Sequence, residues 1–430
     1  MSSDLERRTL RRVSLRIVPL VMILYFIAYI DRVNLGFAAL TMNKQLNFSP
    51  SVFGFGAGVF FFGYFLFEVP SNLIMQRLGA RLWIARIMVT WSIISAGMAF
   101  VQGSTGFYVL RFLLGAAEAG FFPGIILYLS LWFPARRRAG VTAFFMAAAP
   151  ISTALGSPLS AALLGLDGWL GFKGWQWMFL IEALPALLLG LMVFTFMTDR
   201  PEAAAWLRAD ERQWLVAEME AERAAQSATA RHSVCRGLAD PRVIALALIY
   251  FGTSAGLYTL GIWAPQIIGQ LGVAAMTVGT LNMIPPTISV LAMVLWARHS
   301  DRTNERTWHV VLACLLAAIG LIYASQAAGL IGVILALCLV NIGISCAKPP
   351  LWSMPTLFLS GSAAAAGIAT INAIGNLGGF AGPFMIGWIK ELTGSFTGGL
   401  LFVAGLLILS AVLTVFLAFS SRPASERNHA

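Results

Sequence analysis

The chain alternates long apolar runs with short polar interruptions. Twelve runs can be marked, near 17–40, 52–75, 83–102, 107–132, 140–164 and 176–198, and then near 243–268, 277–297, 308–327, 330–356, 364–389 and 396–420. A helix that crosses a bilayer needs roughly 20 mainly apolar residues. These runs are too long for the ~10-residue alternating strands of a membrane barrel. The pattern predicts an all-α integral membrane protein with 12 transmembrane helices. One long polar stretch, Asp199 to Asp240, divides the runs six and six. It predicts an N-terminal six-helix bundle over 1–198, a cytoplasmic linker over 199–242, and a C-terminal bundle with a short cytoplasmic tail over 243–430. Within the linker, mixed charges interleave with Trp206, Leu207, Trp214, Leu215 and Met219. That spacing predicts an amphipathic helix followed by an Ala/Ser/Thr connector.

Composition points the same way. Of 430 residues, 58% are hydrophobic and 11% charged, against roughly 25% charged in soluble domains. The mean hydropathy is +0.79. The first apolar run lacks a small-residue cleavage site, so it is expected to stay as the first span. Cys235, Cys314, Cys338 and Cys346 form no CxxC pair, and three of them sit in apolar runs as small fillers.

The net charge of +10 raises the question of nucleic acid, and the arginine distribution answers it. Arg7, Arg8, Arg11, Arg12 and Arg16 precede the first run. Arg77 and Arg81 follow the second, Arg136, Arg137 and Arg138 the fourth, Arg298, Arg302 and Arg306 the eighth, and Arg422 and Arg427 the last. The alternate loops hold Lys44, Lys173 and Lys390, each nearly alone. This is the positive-inside pattern of a multi-pass protein. It predicts cytoplasmic termini and a bacterial inner-membrane location, with lipid rather than nucleic acid as the surrounding partner. The halves also echo one another: basic residues four apart follow the second span of each, Arg77 and Arg81 in one, Arg302 and Arg306 in the other.

Polar groups far from the membrane surface carry the chemistry, because an intramembrane charge costs about 2.5–3.5 kcal/mol on insertion scales. In the first run, Asp31 and Arg32 are adjacent, with Asn34 beyond. Neighbours on a helix point about 100° apart, so the two charges are expected to serve two networks. In the fourth run Arg111 and Glu118 lie two turns apart on one face, about 10.5 Å along the axis, with Gly115 opening space between them. Glu118 is the proton-carrier candidate, its charge responding to access by Arg111, substrate or water; the alternative is a static structural carboxylate. Tyr64 and Glu68 share a face of the second run, Tyr64 as an anion donor and Glu68 as a gate. In the tenth run Lys348 precedes Pro349 and Pro350. These prolines are expected to interrupt the helix and free upstream carbonyls, with Lys348 receiving a substrate carboxylate and Trp352 nearby. In the eleventh, Asn372 and Asn376 share a face for a hydroxylated ligand. No GxxxxGK[ST] phosphate loop, no metal-ligand spacing and no GxSxG element occurs; His232, His299, His309 and His429 lie in loops or at span ends. No enzyme activity, cofactor or metal is expected.

The stretches Tyr29–Asn34, Glu68–Asn72, Arg111–Glu118 and Asn372–Gly379, together with the repeated basic loops, resemble the major facilitator superfamily. More narrowly they resemble its anion:cation symporter family, along nearly the whole chain. The resemblance implies two six-helix bundles around a cavity that opens alternately to each side, importing organic anions such as tartrate, hexonates, phthalate or hydroxyphenylacetate with protons. It implies proton handling at Asp31 and Glu118 with Arg111 in the coupling network. It implies substrate contacts at Arg32, Tyr64, Trp352 and Asn372, to which the residues add Lys348 and Asn376. Gating falls to Glu68, Arg77, Arg81, Asp301 and Arg302. Gln76 stands where the superfamily's loop signature carries an acid, whereas Asp301 retains it in the second half. Lys348 is an addition to the hexonate pattern; a second cation suits a dianion, which favours a tartrate-like dicarboxylate. The chain is expected to work as a monomer. Efflux or exchange on the same fold, and a membrane-embedded sensor, are the rivals. The short linker speaks against the sensor.

Overall fold

The computed structural model describes residues 2–229, 240–355, 358 and 361–420. Cys235, His232, His429, Arg422 and Arg427 lie outside the described residues. The helices of the first half are α1 (Ser2–Gln45), α2 (Pro50–Leu78), α3 (Ala80–Gly97), α4 (Ser104–Glu118), α5 (Phe121–Trp132), α6 (Ala135–Leu164) and α7 (Gly174–Phe196). The amphipathic α8 (Ala209–Thr229) follows. The second half comprises α9 (Pro241–Gly269), α10 (Ala275–Asn282), α11 (Ile284–Thr303), α12 (Thr307–Ala324), α13 (Gly329–Ser353), α14 (Gly361–Asn376), α15 (Gly378–Thr393) and α16 (Thr397–Ser420). Among the described residues, eleven helical stretches are long and apolar enough to cross a membrane. The remaining crossing is built from α14 and α15, 16 residues each, in series across Leu377. The result is a protein of 12 crossings arranged as two bundles of six.

Local chemistry sets the helix ends. The Ser49 hydroxyl accepts from the Val52 amide at 3.3 Å, and Pro50 occupies the first turn of α2, where no amide is needed. Asp240 caps α9 in the same way, accepting from the Arg242 amide at 2.9 Å ahead of Pro241. Three crossings break inside the membrane. Between α4 and α5, Gly120 takes a left-handed conformation at φ 85°, which glycine adopts without steric cost. Between α10 and α11, Pro285 and Pro286 offer no amides to the carbonyls of Leu281 and Asn282. The third break lies at Leu377.

The tenth crossing corrects the sequence reading. Gly329–Ser353 runs helical through Pro349 and Pro350. Each proline removes one ladder bond, from the carbonyls of Ser345 and Cys346, and the flanking turns hold the helix together across that local gap.

The two halves meet along α2 with α15, α6 with α10 and α1 with α9. On the face opposite the N-terminus they close tightly. There the Glu391 carboxylate accepts from the Ser49 hydroxyl at 2.6 Å and the Ser51 amide at 2.9 Å. Asn282 donates to the Ser157 hydroxyl at 2.9 Å, and Gly54 packs under the Pro383 carbonyl with no room for a side chain. The Ser49 and Ser51 hydroxyls and the Ser51 amide hold the Glu391 carboxyl below the usual range. Large apolar side chains such as Leu66, Leu73, Leu291 and Leu295 point outward, as a lipid-facing surface requires.

Candidate functional site

Between the halves lies a cavity of about 880 Å³, within the range of small-molecule sites. Its mouth is on the face that carries the N-terminal arginines, rimmed by Arg138, Ser300, Asp301 and Arg306. Arg32, Tyr64, Lys348, Trp352, Asn372 and Asn376 all line it. Six side chains from α1, α2, α13 and α14 therefore converge on one space. Asp31, Glu68, Arg111 and Glu118 are buried behind its wall.

Arg32 is the hinge between cavity and wall. Its guanidinium forms an ion pair with Glu118, with Nε 2.9 Å from Oε1. It also donates to the Tyr258 hydroxyl at 3.2 Å, and the rings of Tyr29, Phe60 and Tyr64 surround it at 5.4–5.6 Å. Glu118 is the last residue of α4, at a helix C-terminus where free carbonyls disfavour a carboxylate. The adjacent guanidinium offsets that field. Gly115, one turn earlier, brings α4 against α2, since a Cβ there would collide with the Phe60 carbonyl.

Arg111 and Glu118 take different hydrogen-bond partners. Arg111 donates to the carbonyls of Gly56 at 3.3 Å and Ala57 at 3.2 Å, which ties α4 to α2. The seven-residue spacing put both on one face; the neighbouring helices gave each a different partner.

Asp31 points away from the cavity. It accepts from Trp91 Nε1 at 3.1 Å, from Asn34 Nδ2 at 3.3 Å and from the Ser95 hydroxyl. Glu182, the one charged residue of α7, is buried close by; it accepts from the Ser160 hydroxyl at 2.7 Å and from Asn34. Sequence reasoning missed Glu182, although a lone carboxylate inside an apolar run is a legible signal. It also missed Tyr250 and Tyr258, whose cavity positions no spacing rule reveals.

On the opposite wall, Lys348 has no carboxylate within ion-pair distance among the described residues. Trp352 packs edge-on against Tyr250 with ring centroids 4.9 Å apart. Asn372 donates to Glu68 Oε1 at 2.6 Å, joining the second half to the first. Asp301 pairs with Arg306 at 2.7 Å at the mouth. Arg77, Arg81 and Arg302 are exposed and do not line the cavity. In the first-half loop, the Arg81 amide donates to Asp199 Oδ1 at 2.8 Å. The Arg81 side chain also lies 3.9 Å from Asp199 Oδ2.

Two bundles enclosing a central charged cavity, sealed on one face and open on the other, define a carrier of small solutes. The chain belongs to the major facilitator superfamily, whose family model matches residues 21–383, and it is a multi-pass membrane transporter. It is 70% identical over 426 residues, 99% of this chain and 95% of the relative, to an Agrobacterium vitis protein named "Putative tartrate transporter". It is 39% identical, over 96% of this chain and 95% of the relative, to the quinolone resistance transporter of Acinetobacter baumannii. Among solved structures it superposes on a bacterial homologue of the human lysosomal transporter Spinster in an inward-facing, occupied conformation. That match has a TM-score of 0.76 at 15% identity, covering 95% of this chain and 97% of that one, a likeness of fold.

Proposed function

We propose that the chain imports a small organic anion together with protons, and that its substrate is a tartrate-like hydroxy-dicarboxylate. The observation that carries this reading is the pair of cations on opposite walls of one cavity. Arg32 comes from the first half with an internal carboxylate partner, and Lys348 comes from the second without one among the described residues. A dianion matches two cations, and the hydroxyls of such an acid match Tyr64, Asn372 and Asn376. The 70% identity to a protein named for tartrate supports the same class.

Glu118 and a substrate carboxylate compete for Arg32. A proton on Glu118 releases the guanidinium to the substrate, and loss of that proton on the inner side reclaims it. Binding of anion and proton therefore rise together. Asp31, held by Trp91, Ser95 and Asn34, is the second proton carrier, and Arg111 fixes α4 against α2 so that Glu118 stays in register. Alternating access is a rocking of 1–198 against 243–430, with Ser49, Ser51 and Glu391 as the outer clasp. Glu68, Asp301, Arg302, Arg77 and Arg81 form the inner gate. The arginine distribution supports cytoplasmic termini in a bacterial inner membrane, and the cavity is complete within one chain.

Efflux of an aromatic anion is the second reading, favoured by the 39% identity to a quinolone resistance transporter and by the tyrosines around Arg32. Proteoliposomes carrying a pH-sensitive dye separate the two. Tartrate added outside should acidify the lumen in the uptake reading. A lumen that responds to a quinolone and not to tartrate would replace it with the second.

A further inference from the structure

Helix α1 starts outside the apolar region and enters it at Ile17. Its first turns surround a surface cleft of about 600 Å³, lined by Arg8, Arg11, Arg12, Leu15, Arg16, Phe196 and Trp206. We infer that this cleft binds the headgroup of an anionic phospholipid, with phosphate on the arginines and an acyl chain along Leu15 and α7.

Charge comes first. Arg8 pairs with Asp210 at 2.5 Å and Glu211 at 3.0 Å, and Arg12 pairs with Glu211 at 2.6 Å. These contacts dock α8 on α1 and use up both carboxylates. Arg11 and Arg16 have no carboxylate partner among the described residues. Arg16 is held in place by rings alone, 4.8 Å from the Phe196 centroid and 5.0 Å from that of Trp206. Stacking leaves the guanidinium edge free to donate to phosphate oxygens in a forked geometry.

Position comes second. Phe196 is the last residue of α7, so the cleft lies where an apolar span meets water. Leu15 is 67% exposed and Phe196 49%. Leu188 and Met192, also exposed, continue the Phe196 stripe at four-residue spacing towards the membrane interior. A soluble phosphate would use the arginines and leave that stripe bare. A phospholipid uses both, and a zwitterionic one brings an ammonium towards four guanidiniums. Basic pockets beside spans on the cytoplasmic side favour anionic headgroups for this reason. Two additional arginine contacts correspond to a preference of about 30-fold for phosphatidylglycerol over phosphatidylethanolamine.

Native mass spectrometry of the delipidated full chain, titrated with each lipid, tests this. The wild type should retain one phosphatidylglycerol at concentrations where phosphatidylethanolamine is not held. Arg11→Gln/Arg16→Gln should lose that preference. Lys44→Gln/Lys173→Gln, which removes the same charge elsewhere, should keep it. Unchanged melting temperatures in both variants would show that the fold is intact. Equal retention of the two lipids, or full retention in the arginine variant, would overturn the site. Displacement of the lipid by millimolar inorganic phosphate would assign the cleft to a free anion and overturn the lipid reading.

Discussion

Replacing Glu118 by Gln separates the proton from the anion. In the wild type, Glu118 is the carboxylate partner of Arg32, and a substrate carboxylate must take its place. One carboxylate means one proton in that exchange. Above the titration range of Glu118, anion affinity should then fall about tenfold per pH unit, which is about 1.4 kcal/mol per unit. Binding is tightest at low pH and is lost as pH rises. Gln stays neutral at every pH and leaves an amide oxygen for the guanidinium. In Glu118→Gln the slope should vanish and the affinity should remain at the low-pH wild-type level. Glu118→Leu leaves the Arg32 guanidinium with the Tyr258 hydroxyl and aromatic rings but no carboxylate, and breaking that pair should cost about 3–5 kcal/mol, read as a lowered melting temperature. The assay is isothermal titration of tartrate into purified protein between about pH 5.5 and 8.5. A slope that persists in Glu118→Gln, or a flat wild-type profile, would refute the competition for Arg32.

Other parts of the account can be tested alone. Asn372→Leu removes the donor to Glu68 Oε1 and should destabilise the protein by about 1–3 kcal/mol; a wild-type unfolding curve would contradict the buried contact. Gly115→Val places a side chain against the Phe60 carbonyl and should lower stability by about 1–3 kcal/mol or more through overpacking; wild-type stability and yield on fluorescence-detected gel filtration would count against the α2–α4 contact. Glu391 is held below the ordinary carboxylate range by Ser49 and Ser51. The outer clasp should therefore be intact at neutral pH and weaken only as pH falls through that lowered range. Glu391→Gln should open the outer face at neutral pH, seen as longer distances between spin labels at Gln102 and Gln270. Unchanged distances would remove the clasp.

The sequence carried the membrane class, because repeated apolar runs of helix-spanning length find their stable solvent in lipid. It carried the two halves, because only Asp199–Asp240 is polar enough to lie outside the bilayer for long. It also carried six polar and aromatic residues that line the cavity, since intramembrane Arg32, Lys348 and Asn372 have few reasons to exist apart from partners or ligand. It did not carry the partners. Glu118 meets Arg32 across 86 positions, and Asn372 meets Glu68 across 304; helical periodicity gives a face but not the helix that packs on it. The same gap left the partners of Arg111 and Glu118 open: Arg111 meets backbone carbonyls of α2 and Glu118 meets Arg32. Proline rules overestimated the break at Pro349–Pro350, where two lost bonds leave a helix intact, while the break at Gly120 needed a backbone conformation that no run of apolar residues announces. Glu182 is different in kind: its signal, a lone acid in an apolar run, is present in the sequence.

Proton-coupled import is tested by accumulation of radiolabelled tartrate in proteoliposomes under an inward proton gradient. Uptake should run uphill and collapse when the gradient is dissipated. Arg32→Ala should lose uptake, and Glu118→Gln should lose accumulation but not exchange. Tartrate uptake indifferent to the gradient, or undiminished uphill uptake in Glu118→Gln, would rule out proton coupling through Glu118.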